Sequence, residues 1–125
     1  MKLDNVVAAI ILKDDLYLVA KRNHKKHLGL KWEFPGGKVE KNENFNQALS
    51  REITEELNIK IDIIKKVSQK NYKDEKVNIK IHYYLCLFRQ GVIKLSEHED
   101  YAWVKKNNLY SYDFVPGDKE ILSLI

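Results

Sequence analysis

The chain has 125 residues, close to the roughly 150 of a typical single domain, and its 44% hydrophobic and 32% charged content is that of a folded soluble protein. One cysteine, Cys86, excludes an internal disulfide and a structural zinc site of several thiolates, and no apolar run approaches the ~18 residues of a membrane helix. The net charge of +4 rests on scattered lysines with only three arginines, so stable nucleic-acid binding is not expected, although a basic surface suits small anionic substrates.

The longest apolar run, Val6 to Leu12, lies between Asp4 and Lys13-Asp14-Asp15 and reads as a buried strand rather than a signal peptide. A cytoplasmic monomer is the simplest expectation. After a turn at Lys13–Asp15, Leu16 to Ala20 reads as the returning strand, and the polar stretch Asn23 to Lys31 as a loop. Residues 44–57 predict a helix: Asn44 and Gln47 form a capping box, and Leu49, Ile53 and Leu57 recur every four positions. Residues 77–88 alternate, with Val77, Ile79, Ile81, Tyr83, Leu85 and Leu87 on one face and Asn78, Lys80, His82 and Tyr84 on the other. A half-buried strand is expected there, with Asp62–Tyr72 as its hairpin partner. Tyr101–Lys105 reads as a short strand. Asp118–Ile125 reads as a terminal helix with Ile121, Leu122 and Ile125 inward. The order of elements is mixed α/β, without repeat or linker, and implies one domain over residues 1–125.

The chemistry concentrates between Gly37 and Ile59. Glu52, Glu55 and Glu56 stand at i, i+3 and i+4, so three like charges share about one helical turn at the edge of the apolar stripe. An acidic solvent-facing helix surface would give the same spacing. The preceding Phe34-Pro35-Gly36-Gly37 weighs against that alternative: Pro35 extends Phe34, and the two glycines are expected to adopt backbone geometry closed to other residues. Clustered carboxylates with a free backbone carbonyl are the donors that a hard divalent cation needs.

Gly37, Glu43 and the run Arg51-Glu52-Ile53-Thr54-Glu55-Glu56-Leu57-Asn58-Ile59 carry a further reading. Residues 37–59 resemble the Nudix box, departing from it at Asn58, where the family has glycine. Asn is the next-best left-handed helix cap, so little damage is expected. Outer matches at Trp32–Lys38, Glu97-His98-Glu99, Trp103 and Phe114–Asp118 resemble the MutT branch of that family. The resemblance implies an α/β/α sandwich around a mixed sheet. It implies Mg²⁺, with Mn²⁺ able to substitute, held by the Gly37 carbonyl, Glu52, Glu55, Glu56 and Glu97. Arg51 would orient the carboxylates, Glu43 would brace the box loop, Arg22 would contact the nucleotide, and Phe34 and Asp118 would lie near the base. The implied reaction is water attack on a nucleoside triphosphate, giving monophosphate and pyrophosphate, with Glu52 or Glu97 as general base. The favoured substrate is 8-oxo-dGTP, in nucleotide-pool sanitation. The alternatives are CTP or a damaged cytosine nucleotide, and a non-catalytic module that binds nucleotide or protein.

Other residues carry weaker signals. His24 and His27 lie in a polar loop with no acid or cysteine nearby in sequence, and His98 is a poor ligand for a hard cation. Cys86 reads as an inert buried thiol, Trp32 and Trp103 as packing residues, and at most one of Tyr83 and Tyr84 can face a pocket.

Overall fold

The N-terminal apolar run is the axis of the structure. In the computed structural model, which describes residues Met1–Ile125, it forms strand β1 (Asp4–Lys13). Val7, Ala9 and Ile11 enter one apolar cluster, and Ala8 and Ile10 enter another on the opposite face. A strand buried on both faces needs no polar alternation, hence the continuous apolar sequence. The expected turn, with Asp14 at φ 56°, returns the chain as β2 (Leu16–Lys21), antiparallel to β1.

Two short strands follow, β3 (Trp32–Glu33) on β2 and β4 (Gly36–Lys38) on β1. Helix α1 (Phe45–Leu57) starts with the expected capping box: the Gln47 N–H donates to Asn44 Oδ1 and the Asn44 N–H to Gln47 Oε1, both at 2.8 Å. It ends at Asn58 in the left-handed conformation, φ 60° and ψ 33°. Ala48, Leu49, Ile53 and Leu57 pack on the Val7–Ala9–Ile11 side of the sheet. Strands β5 (Ile59–Lys73) and β6 (Asn78–Gly91) are antiparallel partners, and β6 runs parallel to β1 from Asp4↔Ile79 to Leu12↔Leu87. Strand β7 (Asp100–Lys105) pairs with β2. The short helices α2 (Lys106–Leu109) and α3 (Asp118–Ile121) place Leu109 and Ile121 in the second cluster, with Ile10, Val19 and Tyr83. The result is a mixed sheet, ordered β3-β2-β1-β6-β5 along its main path, with helices on both faces.

Two expectations change. Strand β6 is not half-buried: Ile79, Ile81, Tyr83 and Leu85 pack on the second cluster, and Tyr84, Cys86 and Phe88 pack on the α1 side. His82 is buried there too, its ring 4.3 Å from Phe45, while Leu87 is exposed beyond the cover of the helices. The terminal helix stops at Ile121 and tightens into a 3₁₀ turn, Leu122–Leu124, leaving Ile125 only partly covered. Cys86 is buried as expected; Trp103 meets Phe88 edge-on and Trp32 meets Tyr112 likewise.

Candidate active site

The turn between β3 and β4 brings backbone against the first acids of α1. Gly36 and Gly37 are required for space rather than for unusual dihedrals, since neither has positive φ, contrary to the sequence reading. A Cβ at Gly36 would overlap the Val7 carbonyl oxygen, and one at Gly37 would overlap the Glu52 carboxyl group. Arg51 organises the next layer: its guanidinium donates to Glu43 Oε1 and Glu52 Oε1, each at 2.7 Å, and to the Lys38 carbonyl at 3.0 Å. Glu43 also accepts from the Glu40 N–H at 2.7 Å, so one carboxylate ties the loop to the helix. These bonds hold Glu43 below the usual carboxylate range and keep Arg51 firmly protonated.

Glu56 lies deepest, only 8% exposed, and its Oε1 is buried without a hydrogen-bond partner. Burial, followed by the neighbouring Glu52, pushes its pKa far above the carboxylate range. Glu55 is instead largely exposed, 3.3 Å from Arg51, and Glu52, Glu55 and Glu56 do not converge on one point. Glu97 is half-exposed and paired with Lys26 at 2.9 Å. An orphaned buried carboxylate oxygen beside a second acid and a tightly approached glycine is a donor set suited to a hard cation.

All these groups except Glu43 line one pocket of about 530 Å³, which continues past Arg22 to Phe34 and Asp118. Phe34, buried and stacked on Phe114, donates its backbone N–H to Asp118 Oδ2 at 2.9 Å. The Tyr83 hydroxyl donates to Asp118 Oδ1. Asp118 is 3% exposed, and its pKa is pushed up to about 7, chiefly by burial. Arg22 lines the pocket, but its Nη1 donates to Glu33 Oε1 at 2.7 Å and its Nε to the His27 carbonyl at 3.0 Å.

Sequence reasoning missed Glu33, Lys26 and the Tyr83 hydroxyl. Glu33 joins Arg22 to His98, whose Nε2 lies 2.8 Å from Glu33 Oε2. Burial works to raise Glu33, but His98 and Arg22 outweigh it and hold it low. The polar loop is also better anchored than expected. His24 pairs with Glu99, and His27 Nε2 lies 2.6 Å from Asp74 Oδ2, acids distant in sequence. Tyr72 donates to the same Asp74 oxygen at 2.7 Å, closing one side of the pocket.

The family model described as NUDIX domain matches residues 2–125. This chain belongs to the Nudix family. The Nudix fold is matched by the MutT Nudix hydrolase from Burkholderia pseudomallei, with a TM-score of 0.89 at 23% identity over 100% of this chain and 99% of that one. Among curated Nudix relatives, the 8-oxo-dGTP diphosphatase of Buchnera aphidicola (subsp. Schizaphis graminum) is 34% identical over 98% of this chain and 92% of its own length. The CTP pyrophosphohydrolase of Escherichia coli K12 is also 34% identical, over 98% of this chain and 90% of its own length.

Proposed function

We propose that this Nudix domain hydrolyses nucleoside triphosphates to monophosphate and pyrophosphate, with 8-oxo-dGTP as the favoured substrate and nucleotide-pool sanitation as its role. The observation that carries this is the polarity of the pocket: an acid cluster at one end, and a buried carboxyl group beside Phe34 at the other. A nucleoside triphosphate has matching ends, one for cations and one for hydrogen-bond readout.

In this reading the Gly37 carbonyl, Glu52, Glu55, Glu56 and Glu97 would hold Mg²⁺, which offsets phosphate charge and makes a bound water more acidic. Glu52 is the first candidate to accept the proton of the attacking water, and Glu97 the second. Arg51 and Glu43 hold Glu52 in place; Arg22 and Lys26 offer positive charge to the phosphates. Attack at the β phosphorus breaks its bond to the oxygen bridging from the α phosphorus, and the monophosphate departs with that oxygen. At the base end, Asp118 near pKa 7 can retain a proton at neutral pH. One oxygen then donates and the other accepts, as O6 and N7–H of 8-oxoguanine require.

A second reading, a cytosine nucleotide such as CTP, is favoured by the two protein donors already on Asp118. They stabilise its anion, which suits the N4 amine of cytosine. A panel of 8-oxo-dGTP, dGTP, CTP and ADP-ribose at low concentration, read by product release, tests the assignment. The highest kcat/KM is expected for 8-oxo-dGTP. A neutral-pH value at least about tenfold higher for CTP, roughly 1.4 kcal/mol of discrimination, would transfer the assignment to the second reading. No turnover of any of the four would remove the enzymatic reading itself.

A further inference from the structure

Asp118 does not stand alone at the base end of the pocket. Its two oxygens receive different donors: the fixed backbone N–H of Phe34 at Oδ2, and the rotatable hydroxyl of Tyr83 at Oδ1. Tyr83 lies on β6, is fully buried, and is not among the pocket-lining residues, so it reaches a nucleotide only through Asp118. Its hydroxyl lies beside Gly117, at φ +94°, where a Cβ would come within 3.1 Å of the Tyr83 oxygen. The neighbouring turn therefore leaves room for this hydroxyl and little else.

We propose that Tyr83 is a specificity-positioning residue, whose hydroxyl sets the protonation state with which Asp118 meets the base. This rests on the reading of Asp118 as the base-reading group. The Phe34 N–H and the Tyr83 hydroxyl each donate to one oxygen, so neutral Asp118 must carry its proton on an oxygen that already accepts, and the Tyr83 bond sets how readily it does so. The two oxygens then differ as those of an amide do, one donor and one acceptor. The same bond stabilises the anion, opposing the burial that favours the neutral acid. Without the hydroxyl, burial acts with less opposition and the acid persists to higher pH. The other groups acting on this pair are Glu33 on β3, Arg22 just beyond the end of β2, and Glu120, which bears on Tyr83 from α3; the Phe34 N–H is the remaining donor. Tyr83→Phe leaves all of them in place and keeps the ring in the core.

Two measurements test this. The first follows the Asp118 carboxyl carbon by NMR across pH in the free protein. Its midpoint is expected to rise by about one pH unit in Tyr83→Phe, the effect of losing one hydrogen bond to a charged acceptor. The second is the ratio of kcat/KM for 8-oxo-dGTP to that for CTP across pH, which cancels effects common to both substrates. The ratio is expected to fall as pH rises through the Asp118 midpoint, and to do so about one unit higher in Tyr83→Phe. An unchanged carboxyl midpoint overturns the role of Tyr83. A shifted carboxyl midpoint with a flat ratio in the wild type overturns instead the reading of Asp118 as the base reader, and the specificity role with it. Should Tyr83→Phe fold poorly, Gly117→Ala displaces the same hydroxyl and is expected to move both midpoints in the same direction. In an Asp118→Asn background, which cannot titrate, Tyr83→Phe is expected to leave the pH profile of the ratio unchanged. A residual change there would mean a general packing effect and would overturn the proposal.

Discussion

Glu56 combines two opposed properties: it closes the acidic end of the pocket, and its buried Oε1 has no hydrogen-bond partner. Burial without a partner costs stability and holds the carboxyl in its neutral form, while offering an oxygen to a cation that would displace the proton. Glu56→Gln is therefore expected to keep or raise the melting temperature while cutting kcat by at least ~10²-fold, measured by thermal denaturation and product release on one preparation. Full activity in Glu56→Gln would remove this residue from the reaction. Asp118 gives a prediction with a definite sign. Its folded pKa of about 7 lies above its unfolded value, so the native state binds the extra proton between about pH 4 and 7. Its contribution to stability is full at the acid end of that window and is lost as pH rises through 7. Asp118→Asn, which carries no charge, is expected to be more stable than wild type at pH 8, by on the order of 4 kcal/mol, with the gap closing toward pH 4. A gap constant with pH would show that Asp118 does not titrate in this window.

Helix α1 was readable from sequence because its signals are local: Asn44 and Gln47 cap one end, the apolar stripe repeats every four residues, and Asn58 ends it. Replacing Asn58 with Gly is expected to change stability by well under ~1 kcal/mol, whereas Asn58→Val at φ 60° is expected to cost about 1–2 kcal/mol in chemical denaturation. The β3 and β4 strands were not readable, being two and three residues long and defined by partners on β2 and β1. The anchoring of the histidine loop was hidden for a related reason, because Asp74 and Glu99 lie on other elements far along the chain. Strand β6 misled more subtly. His82 looked like a solvent-facing position, yet it is covered by α1, with Nδ1 2.8 Å from Lys66 Nζ and Nε2 2.9 Å from Asn5 Oδ1. Burial first, then Lys66 and Lys80, lowers its pKa to about 4. The unfolded chain thus binds the extra proton between about pH 6.5 and 4, so stability falls as pH drops through that range. His82→Phe is expected to flatten that part of the stability–pH curve; an unchanged slope would place its origin elsewhere.

At the scale of the whole molecule, one pocket joins groups from β1, β3, β4, α1, β5, β6, α3 and the loops before β3 and β7. The box supplied the acidic end because its residues are neighbours on one helix, while the end proposed to read the base is assembled from Phe34, Tyr83 and Asp118, which are far apart in the chain. That difference explains why the reaction class was legible and the base preference was not. It also locates the consequence of metal removal. Glu52 and Glu56 are kept close by Arg51, Gly37 and the packing of α1, so the cost of ionising both is a fixed property of the fold. A cation bound to the folded state alone must then raise stability with the logarithm of its concentration above the dissociation constant, by about 2.7 kcal/mol at a hundred times that constant. Millimolar Mg²⁺ is expected to raise the melting temperature of the wild type and to do so less in Glu56→Gln. Chelator is expected to abolish product release, with recovery on adding Mg²⁺ or Mn²⁺. Full activity in chelator would exclude the metal role of the acid cluster. An equal Mg²⁺ shift in the two proteins would leave a cation in play but remove Glu56 from its ligands.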